Sequence, residues 1–152
     1  MNANATILVV DDEEVVRRSF QRVLANRCCQ VEAVGTGEQA LQAMETRPYD
    51  IVLLDLRMPG MDGMSVLRTM KRRWPEGEVV VITGYPSVDT AKEAIRLGAC
   101  DYLAKPLAPD EVIKAANNAI EKKHWTLRRE GAAAWQVNGS NGGGVRPPCN
   151  AS

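Results

Sequence analysis

The stretch Asp50-Ile51-Val52-Leu53-Leu54-Asp55 decides the fold of this 152-residue chain. Its apolar residues are consecutive, include β-branched side chains and do not alternate with polar positions, which is typical of a strand buried on both faces. The apolar run stops abruptly at the carboxylate of Asp55. Four other short runs occur, three of which also end at a polar residue, so the sequence predicts five buried strands, over residues 7–10, 31–34, 50–54, 79–82 and 100–104.

Amphipathic helices are predicted between these strands, because each intervening segment carries apolar residues at a spacing of three or four. Thr36 and Gln39 have the spacing of a capping box before the second helix. Gly98 is suited to end the fourth helix, and Pro109 to begin the fifth. The apolar stripes consist of Val16, Phe20, Val23 and Leu24; Ala40, Leu41 and Met44; Met64, Leu67 and Met70; Val88, Ala91 and Ile95; and Val112, Ile113, Ala116 and Ile120.

Five strand–helix units in alternation predict an α/β fold. In such a fold a doubly wound parallel sheet carries helices on both faces, joined by right-handed crossovers. A closed barrel of eight units would need about 250 residues, so this chain is too short for one.

The charge balance excludes a general attraction to nucleic acid or to an anionic membrane. Lys and Arg together number 19, and so do Asp and Glu. The basic run Lys71-Arg72-Arg73 is more typical of a solvated helix end than of a nucleic-acid patch. No apolar run approaches about 18 residues, and the first residues do not resemble a signal peptide. We therefore expect a cytoplasmic protein that contacts neither a membrane nor nucleic acid directly.

Polar side chains follow four of the five predicted strands. Asp11 and Asp12 follow the first strand, Asp55 the third, Thr83 the fourth and Lys105 the fifth. Because the carboxyl ends of parallel strands share one edge of the sheet, we expect these side chains to converge there. A single Asp after a strand is usually a helix cap, but the joint pattern at four strand ends favours a functional site.

The converging groups are chemically suited to phosphoryl transfer. Three carboxylates at close range repel one another unless a cation lies between them, and hard oxygen ligands suit Mg²⁺. A carboxylate can also act as a nucleophile and form an aspartyl phosphate. The transferred group then needs its charge neutralised, for which the metal, Lys105 and the hydroxyl of Thr83 are available.

The chain resembles the receiver domains of two-component response regulators over about residues 5–123. Four stretches carry this resemblance, in the order and at the spacing of the family: Ile7-Leu8-Val9-Val10-Asp11-Asp12-Glu13, Asp55-Leu56-Arg57-Met58-Pro59-Gly60-Met61-Asp62-Gly63, Ile82-Thr83-Gly84-Tyr85 and Asp101-Tyr102-Leu103-Ala104-Lys105-Pro106. Residues 84–103 are similar to the receivers of sigma-54-type transcriptional activators. The resemblance implies a five-stranded, flavodoxin-like (βα)5 sheet with the strand order 2-1-3-4-5.

The resemblance implies a role for each matching residue around the acceptor. Asp55 is implied as the phosphoacceptor. Asp12, Asp55 and the backbone carbonyl of Arg57 are implied as ligands of Mg²⁺, with Asp11 helping, often through water. Tyr85 and Arg57 lie where side chains are thought to tune dephosphorylation in this family.

The resemblance also implies the parts of a switch. Thr83 and Lys105 would bind the phosphoryl oxygens, and the bond between Lys105 and Pro106 would be cis, which costs little before proline. Tyr102 would be the aromatic residue that rotates inward when Thr83 moves toward the phosphate.

The implied partners are a phosphodonor and a reader of the switch. The donor would be a sensor histidine kinase or a phosphotransfer protein. The reader would be an effector domain or a second copy of the chain, acting on a face made of the fourth helix, the fifth strand and the fifth helix. Beyond the receiver at 5–123 we predict a helical extension or linker over 124–136 and a disordered tail over 137–152.

Three alternatives remain open at this point. A stand-alone receiver could pass its phosphoryl group on as a shuttle. An enzyme could use Asp55 as a covalent nucleophile in a phosphatase, although Arg57 lies where such enzymes normally have a second acid. A flavin-binding module is the third alternative, although Asp11 and Asp12 would repel the flavin's phosphate. On the favoured interpretation the chain is not an enzyme, beyond catalysing its own phosphorylation and dephosphorylation.

Overall fold

The computed structural model describes residues 5–25 and 29–138 of the chain. The strands are β1 (Thr6–Val10), β2 (Gln30–Val34), β3 (Ile51–Asp55), β4 (Glu78–Thr83) and β5 (Asp101–Ala104). The helices are α1 (Glu14–Ala25), α2 (Gly37–Thr46), α3 (Gly63–Arg73), α4 (Val88–Arg96) and α5 (Pro109–Asn138). Each predicted strand is therefore present, and its ends lie within one residue of the apolar run that predicted it. The expectation that all five are buried was wrong for β2 and β5, which contain no buried residue because they lie at the two edges of the sheet.

The five strands form one parallel sheet in the order β2-β1-β3-β4-β5, which confirms the expected fold. The three central strands are β1, β3 and β4, and all of their residues except Thr6 are buried. In register, Val10 pairs with Leu54 and Asp55 with Ile82. The strands therefore end almost level with one another, at the edge where the polar residues follow.

Successive side chains of the central strands belong to two apolar cores, one on each face of the sheet. On one face the core is completed by α2, α3 and α4, with Met44, Met70 and Ala94 among the buried contacts. On the other face it is completed by α1 and α5, with Phe20 and Ala116. This arrangement is the doubly wound layering that the alternation of runs predicts.

The apolar stripe of α4 does not face the core, although a stripe of this kind ordinarily marks the core side. Val88 and Ile95 are 69% and 52% exposed, whereas Ala94, which is not part of the stripe, is fully buried. The small side chain of Ala94 allows α4 to pack closely against the sheet, and the larger Val88 and Ile95 then lie on the solvent side. The pattern predicted the helix correctly and its buried side wrongly.

The signals at the helix ends were largely reliable. Gly98 has a φ of 106° directly after α4, and α5 begins at Pro109. The capping box forms only in part. The hydroxyl of Thr36 accepts the N–H of Gln39 at 3.1 Å, but the Gln39 side chain accepts the N–H of Gly35 at 2.9 Å, one residue before the usual position.

The proposed limits at 5–123, 124–136 and 137–152 remain a prediction. The backbone of α5 continues past residue 123 to Asn138 and so includes the first two residues of the predicted tail. Residues 139–152, on which the rest of the tail prediction falls, lie outside the described residues. In the part of the chain that is described, no helix combines the length and the apolar character needed to cross a membrane.

Candidate functional site

Three carboxylates gather at the carboxyl edge of the sheet. Asp11 follows β1 directly, Asp12 is its neighbour, and Asp55 is the last residue of β3. Asp11 and Asp55 are 2% and 5% exposed, whereas Asp12 is open to solvent. One oxygen from each carboxylate can be chosen so that all three lie within 4.8 Å of one another. The structure thus brings together the three acidic residues that the strand ends predict.

This donor set suits a hard divalent cation. Mg²⁺ prefers oxygen ligands about 2.1 Å away in near-octahedral geometry, which spaces neighbouring ligand oxygens by roughly 3 Å and opposite ones by roughly 4.2 Å. The three carboxylates therefore need only small movements to share one ion. The exposed position of Asp12 leaves one side of the site open to water, which Mg²⁺ commonly keeps as ligands.

Lys105 brings a positive charge between two of the carboxylates. It follows β5 directly, and its Nζ lies 2.6 Å from Asp11 Oδ2, 3.2 Å from Asp55 Oδ2 and 3.9 Å from Glu13 Oε1. The peptide bond between Lys105 and Pro106 is cis, as the resemblance implies. The ammonium group neutralises part of the negative charge and is in contact with the predicted acceptor.

Burial is the largest influence on the Asp55 carboxylate, and it raises the pKa of this group above the ordinary value. The N–H of Arg57, 3.1 Å from Asp55 Oδ1, and the charge of Lys105 oppose this rise without cancelling it. Burial would lower the pKa of Lys105, but the hydrogen bond to Asp11 and the charges of Asp11 and Asp55 outweigh it and raise that pKa. An ionised Asp55 is therefore held at a cost in free energy that a bound cation would relieve.

Thr83, the last residue of β4, is fully buried at the same edge. Its hydroxyl accepts the N–H of Tyr85 at 3.1 Å, a bond within its own loop. Across the ladder, Asp55 pairs with Ile82, the residue before Thr83. Thr83 is therefore close to the acceptor strand, and its hydroxyl, which accepts the Tyr85 N–H, still has a hydrogen that it can donate to a group on Asp55.

A stacked pair links the loops that follow β3 and β4. The guanidinium carbon of Arg57 lies 4.0 Å from the ring centroid of Tyr85. Through their backbone N–H groups the same two residues bind Asp55 and Thr83, each at 3.1 Å. The stack therefore couples the positions of two residues that the site needs, which gives Arg57 and Tyr85 a structural reason to affect its chemistry.

The hydroxyl of Tyr102 lies at the beginning of α4. It is 2.6 Å from Thr90 Oγ1 and accepts the N–H of Ser87 at 3.2 Å. Ser87 is the N-cap of α4, and its own hydroxyl accepts the N–H of Thr90 at 3.1 Å. In register Tyr102 is opposite Val81, two residues before Thr83. A hydroxyl cluster therefore joins β5 to the first turn of α4.

Two residues of the site, Glu13 and Arg17, were missed from the sequence. The N–H of Glu13 donates to Asp11 Oδ1 at 2.9 Å, and Arg17 Nη1 donates to the carbonyl oxygen of Asp11 at 2.7 Å. The Glu13 bond is made by its backbone N–H, which the residue type does not mark. The position of Arg17 was a usable signal, because a side chain in the first turn of a helix can reach back to the preceding loop. For Arg17 that signal was ambiguous, since the adjacent Arg18 carries the same charge.

Comparisons with known proteins agree with this geometry. The family model for the response regulator receiver domain matches residues 7–117. Over 114 residues the chain is 40% identical to the regulatory protein LuxO of Vibrio cholerae. This match covers 75% of this chain and 25% of LuxO. Over 124 residues it is 36% identical to the alginate biosynthesis transcriptional regulatory protein AlgB of Pseudomonas aeruginosa, covering 82% and 28% of the two chains.

The solved structures include the receiver domain of NtrX from Brucella abortus. It superposes with a TM-score of 0.72 at 36% identity and covers 76% of this chain and 98% of that domain. By contrast, the chain spans only about a quarter of the length of the curated relatives named above.

Proposed function

Since this chain belongs to the response regulator receiver domain family, we propose that Asp55 is its phosphoacceptor and that the reaction uses Mg²⁺. One observation carries the proposal: the buried Asp55 carboxylate lies beside Asp11 and Asp12 and in contact with Lys105. The matched proteins are regulators and receivers, which favours this interpretation over a phosphatase or a flavin-binding module. A receiver domain is not a metabolic enzyme, and the phosphorylation and dephosphorylation that we assign to this one concern its own Asp55.

In the proposed reaction, an oxygen of the Asp55 carboxylate attacks the phosphorus atom of a phosphorylated donor. The new oxygen–phosphorus bond forms as the bond to the donor breaks, and the donor keeps the electron pair and takes up a proton from solvent. Hydrolysis reverses the modification, because water attacks the same phosphorus and Asp55 leaves as a carboxylate.

The surrounding residues would neutralise and orient the transferred group. Asp12, Asp55 and the backbone carbonyl of Arg57 would hold Mg²⁺, with Asp11 helping through water; the ion would screen the charge of the phosphoryl oxygens. Lys105 already touches the acceptor and would remain as a cation on the other side of the phosphoryl group. Thr83 would donate its hydroxyl to a phosphoryl oxygen.

The switch that we propose begins with this movement of Thr83. When its hydroxyl leaves the N–H of Tyr85, the loop after β4 loses one of its ties. Inward rotation of Tyr102 toward the space behind Thr83 would then break its bonds to Ser87 and Thr90 and release the first turn of α4. Phosphorylation would thereby change the face formed by α4, β5 and α5.

A partner domain or a second copy of the chain would read this face. Val88 and Ile95 support the proposal, because two of the four large apolar side chains that are exposed among the described residues lie on α4. The donor would be a sensor histidine kinase or a phosphotransfer protein, which places the reaction in the cytoplasm. The relatives are named as regulatory proteins, and we propose that this domain likewise controls a regulatory output.

Intact-mass measurement after incubation with acetyl phosphate tests the proposal. We expect one phosphoryl group to be added when Mg²⁺ is present and none when a chelator replaces it. Asp55→Asn should abolish the gain in mass, because an amide is not a nucleophile toward phosphorus. Asp62→Asn is the matched control: its carboxylate lies in the loop after β3 but makes no cap hydrogen bond to α3, and its variant should be modified like the wild type. Full modification of Asp55→Asn would refute the assignment.

A further inference from the structure

Arg17 ties α1 to the backbone of the acidic loop. It lies in the first turn of α1, and its Nη1 donates a part-buried hydrogen bond of 2.7 Å to the carbonyl oxygen of Asp11. A bond from a charged donor is shorter and stronger than one between neutral groups. The contact is therefore a firm attachment between a helix and the residue that follows β1.

Asp11 is otherwise fixed on all sides. Its N–H donates to the carbonyl oxygen of Val34 at 3.1 Å, and its Oδ1 accepts the N–H of Glu13 at 2.9 Å. Its Oδ2 bonds to Lys105 at 2.6 Å. The bond from Arg17 completes this set, because it holds the one remaining polar group of Asp11. The carbonyl of Asp11 also belongs to the peptide unit that continues into Asp12.

The guanidinium group of Arg17 is confined by the loop after β2. A Cβ atom at Gly35 would lie 3.2 Å from Arg17 Nη1, which is tighter than an ordinary contact. Gly35 is itself held by its N–H bond to the Gln39 side chain. The Arg17 guanidinium thus lies beside the loop after β2 while it bonds to the loop after β1.

We infer that Arg17 is a positioning residue for the cation site, which it serves by fixing the peptide unit that joins Asp11 and Asp12. This inference rests on the proposed function, because it presupposes that these carboxylates bind Mg²⁺. Residues that orient metal ligands without touching the metal typically change its affinity by about 10- to 100-fold when they are replaced.

The sign of the effect separates positioning from simple electrostatics. Arg17 is a cation close to an acidic cluster, so removing its charge should by itself make the cluster more attractive to Mg²⁺. Loss of positioning should make binding weaker. The two explanations therefore predict opposite changes in the dissociation constant.

The neighbouring residue Arg18 provides a matched control. It pairs with Glu14 on the surface, at 2.8 Å, and its side chain is 74% exposed. Replacing either arginine with Met removes one positive charge from the same helix turn and keeps an unbranched side chain. The difference between the two variants therefore isolates the contact with Asp11.

The test is a Mg²⁺ titration of the full chain in which amide chemical shifts report binding. It compares the wild type with Arg17→Met, Arg18→Met and Arg17→Lys. We expect Arg18→Met to stay within about twofold of the wild type and Arg17→Met to bind about tenfold more weakly. Arg17→Lys, which keeps a charged donor, should recover part of the affinity. Melting curves in chelator show that each variant is folded.

An Arg17→Met variant that binds Mg²⁺ as tightly as Arg18→Met, or more tightly, would overturn the inference. If Arg17→Met does not fold, Arg17→Lys decides, because it keeps the charge but replaces the guanidinium that contacts the Asp11 carbonyl: a severalfold weaker affinity supports positioning, and an unchanged affinity overturns it. If the wild type does not bind Mg²⁺ at all, the proposed Mg²⁺ site is wrong, and this inference fails with it. Equal affinities of Arg17→Met and Arg18→Met would instead overturn the inference alone.

Discussion

The Asp55 carboxylate is buried in the company of two other carboxylates and one ammonium group. In water such a group would be ionised at neutral pH with no penalty, but here the loss of solvation raises its pKa despite the nearby Lys105. Burial therefore makes binding of a cation by the ionised carboxylate more favourable, and it lowers the stability of the metal-free domain. Function and stability place opposite demands on this one side chain.

Replacing Asp55 with Asn should stabilise the metal-free protein at neutral pH. Because the pKa of Asp55 is raised by burial, the folded protein holds this proton more tightly than the unfolded chain does. The free energy of unfolding therefore falls as the pH rises from the pKa of Asp55 in the unfolded chain to its pKa in the folded protein. Above this range it stays lower. In chelator at pH 7 we expect a gain of about 1 kcal/mol, or roughly 4 °C in melting temperature.

Near pH 3 the wild type and Asp55→Asn should melt at similar temperatures, because both carry a neutral group at position 55. Asp62→Asn, which changes an exposed carboxylate in the same loop, should show no such pH-dependent gain. Thermal melts followed by circular dichroism at pH 3 and pH 7 measure the difference. An Asp55→Asn variant that melts below the wild type at pH 7 would contradict this account of the site.

For single residues, the sequence predicts which ones end the strands. It does not predict which side chains of later loops and helices contact those strand ends. Asp11, Asp55 and Lys105 could be placed because the chain direction of a parallel sheet fixes where its strands end. The stacking of Arg57 on Tyr85 could not, because it depends on the conformations of two loops. The contact of Arg17 could not be told from a contact of Arg18 without the rotation of α1.

Among the elements, α4 is the one whose surroundings connect it to the site. Its N-cap, Ser87, is bonded to Tyr102 on β5, and the loop before it contains Tyr85, whose N–H holds Thr83. The helix is short, and its exposed residues mix the apolar Val88 and Ile95 with charged side chains. Its one buried residue, Ala94, lies near its other end, so the cap at Ser87 is the main attachment of its first turn. An element of this kind is suited to move when the loop before it is disturbed.

Removing the hydroxyl of Tyr102 should loosen the beginning of α4. In Tyr102→Phe the N–H of Ser87 loses its acceptor and Thr90 loses a partner, and the first N–H groups of a helix have no partner within it. The cap bond from the Thr90 N–H to the Ser87 hydroxyl remains, but a lost hydrogen bond costs about 1 kcal/mol, so amide exchange at residues 88–91 should be roughly fivefold faster.

Tyr49→Phe is the matched control, because its hydroxyl bonds to Glu32 and takes no part in the α4 cap. Hydrogen exchange resolved by residue compares the two variants with the wild type. Equal exchange at residues 88–91 in all three proteins would show that the hydroxyl cluster does not hold this turn.

The elements also show where periodicity stops being informative. Continuous apolar runs predicted the three central strands, because a strand buried on both faces carries apolar side chains on both. The runs of β2 and β5 contain Glu32 and Asp101, which fits strands at the edges of the sheet. The stripe of α4 failed because spacing identifies the sides of a helix but not which side meets the sheet. The small Ala94 faces the sheet and permits α4 to pack closely against it, which leaves Val88 and Ile95 exposed.

For the molecule as a whole, one parallel sheet places the proposed acceptor next to the face that we propose it controls. Asp55 ends β3, Thr83 ends the neighbouring β4, and Tyr102 lies on β5 beyond it. A change at Asp55 therefore has only one strand to cross before it reaches α4. This order follows from the strand sequence 2-1-3-4-5, which came from the family resemblance and not from the apolar pattern.

The central claim is that a phosphoryl group on Asp55 changes the conformation of this face, and amide chemical shifts with and without beryllofluoride test it most directly. With Mg²⁺ present, we predict that this mimic of the phosphoryl group shifts a continuous set of amides over residues 83–105. In Thr83→Ala the mimic should still bind, with shifts near Asp55, but the changes in α4 and β5 should be lost. Shifts confined in the wild type to residues that touch Asp55 would contradict the claim, because the chain would then accept a phosphoryl group without acting as a switch.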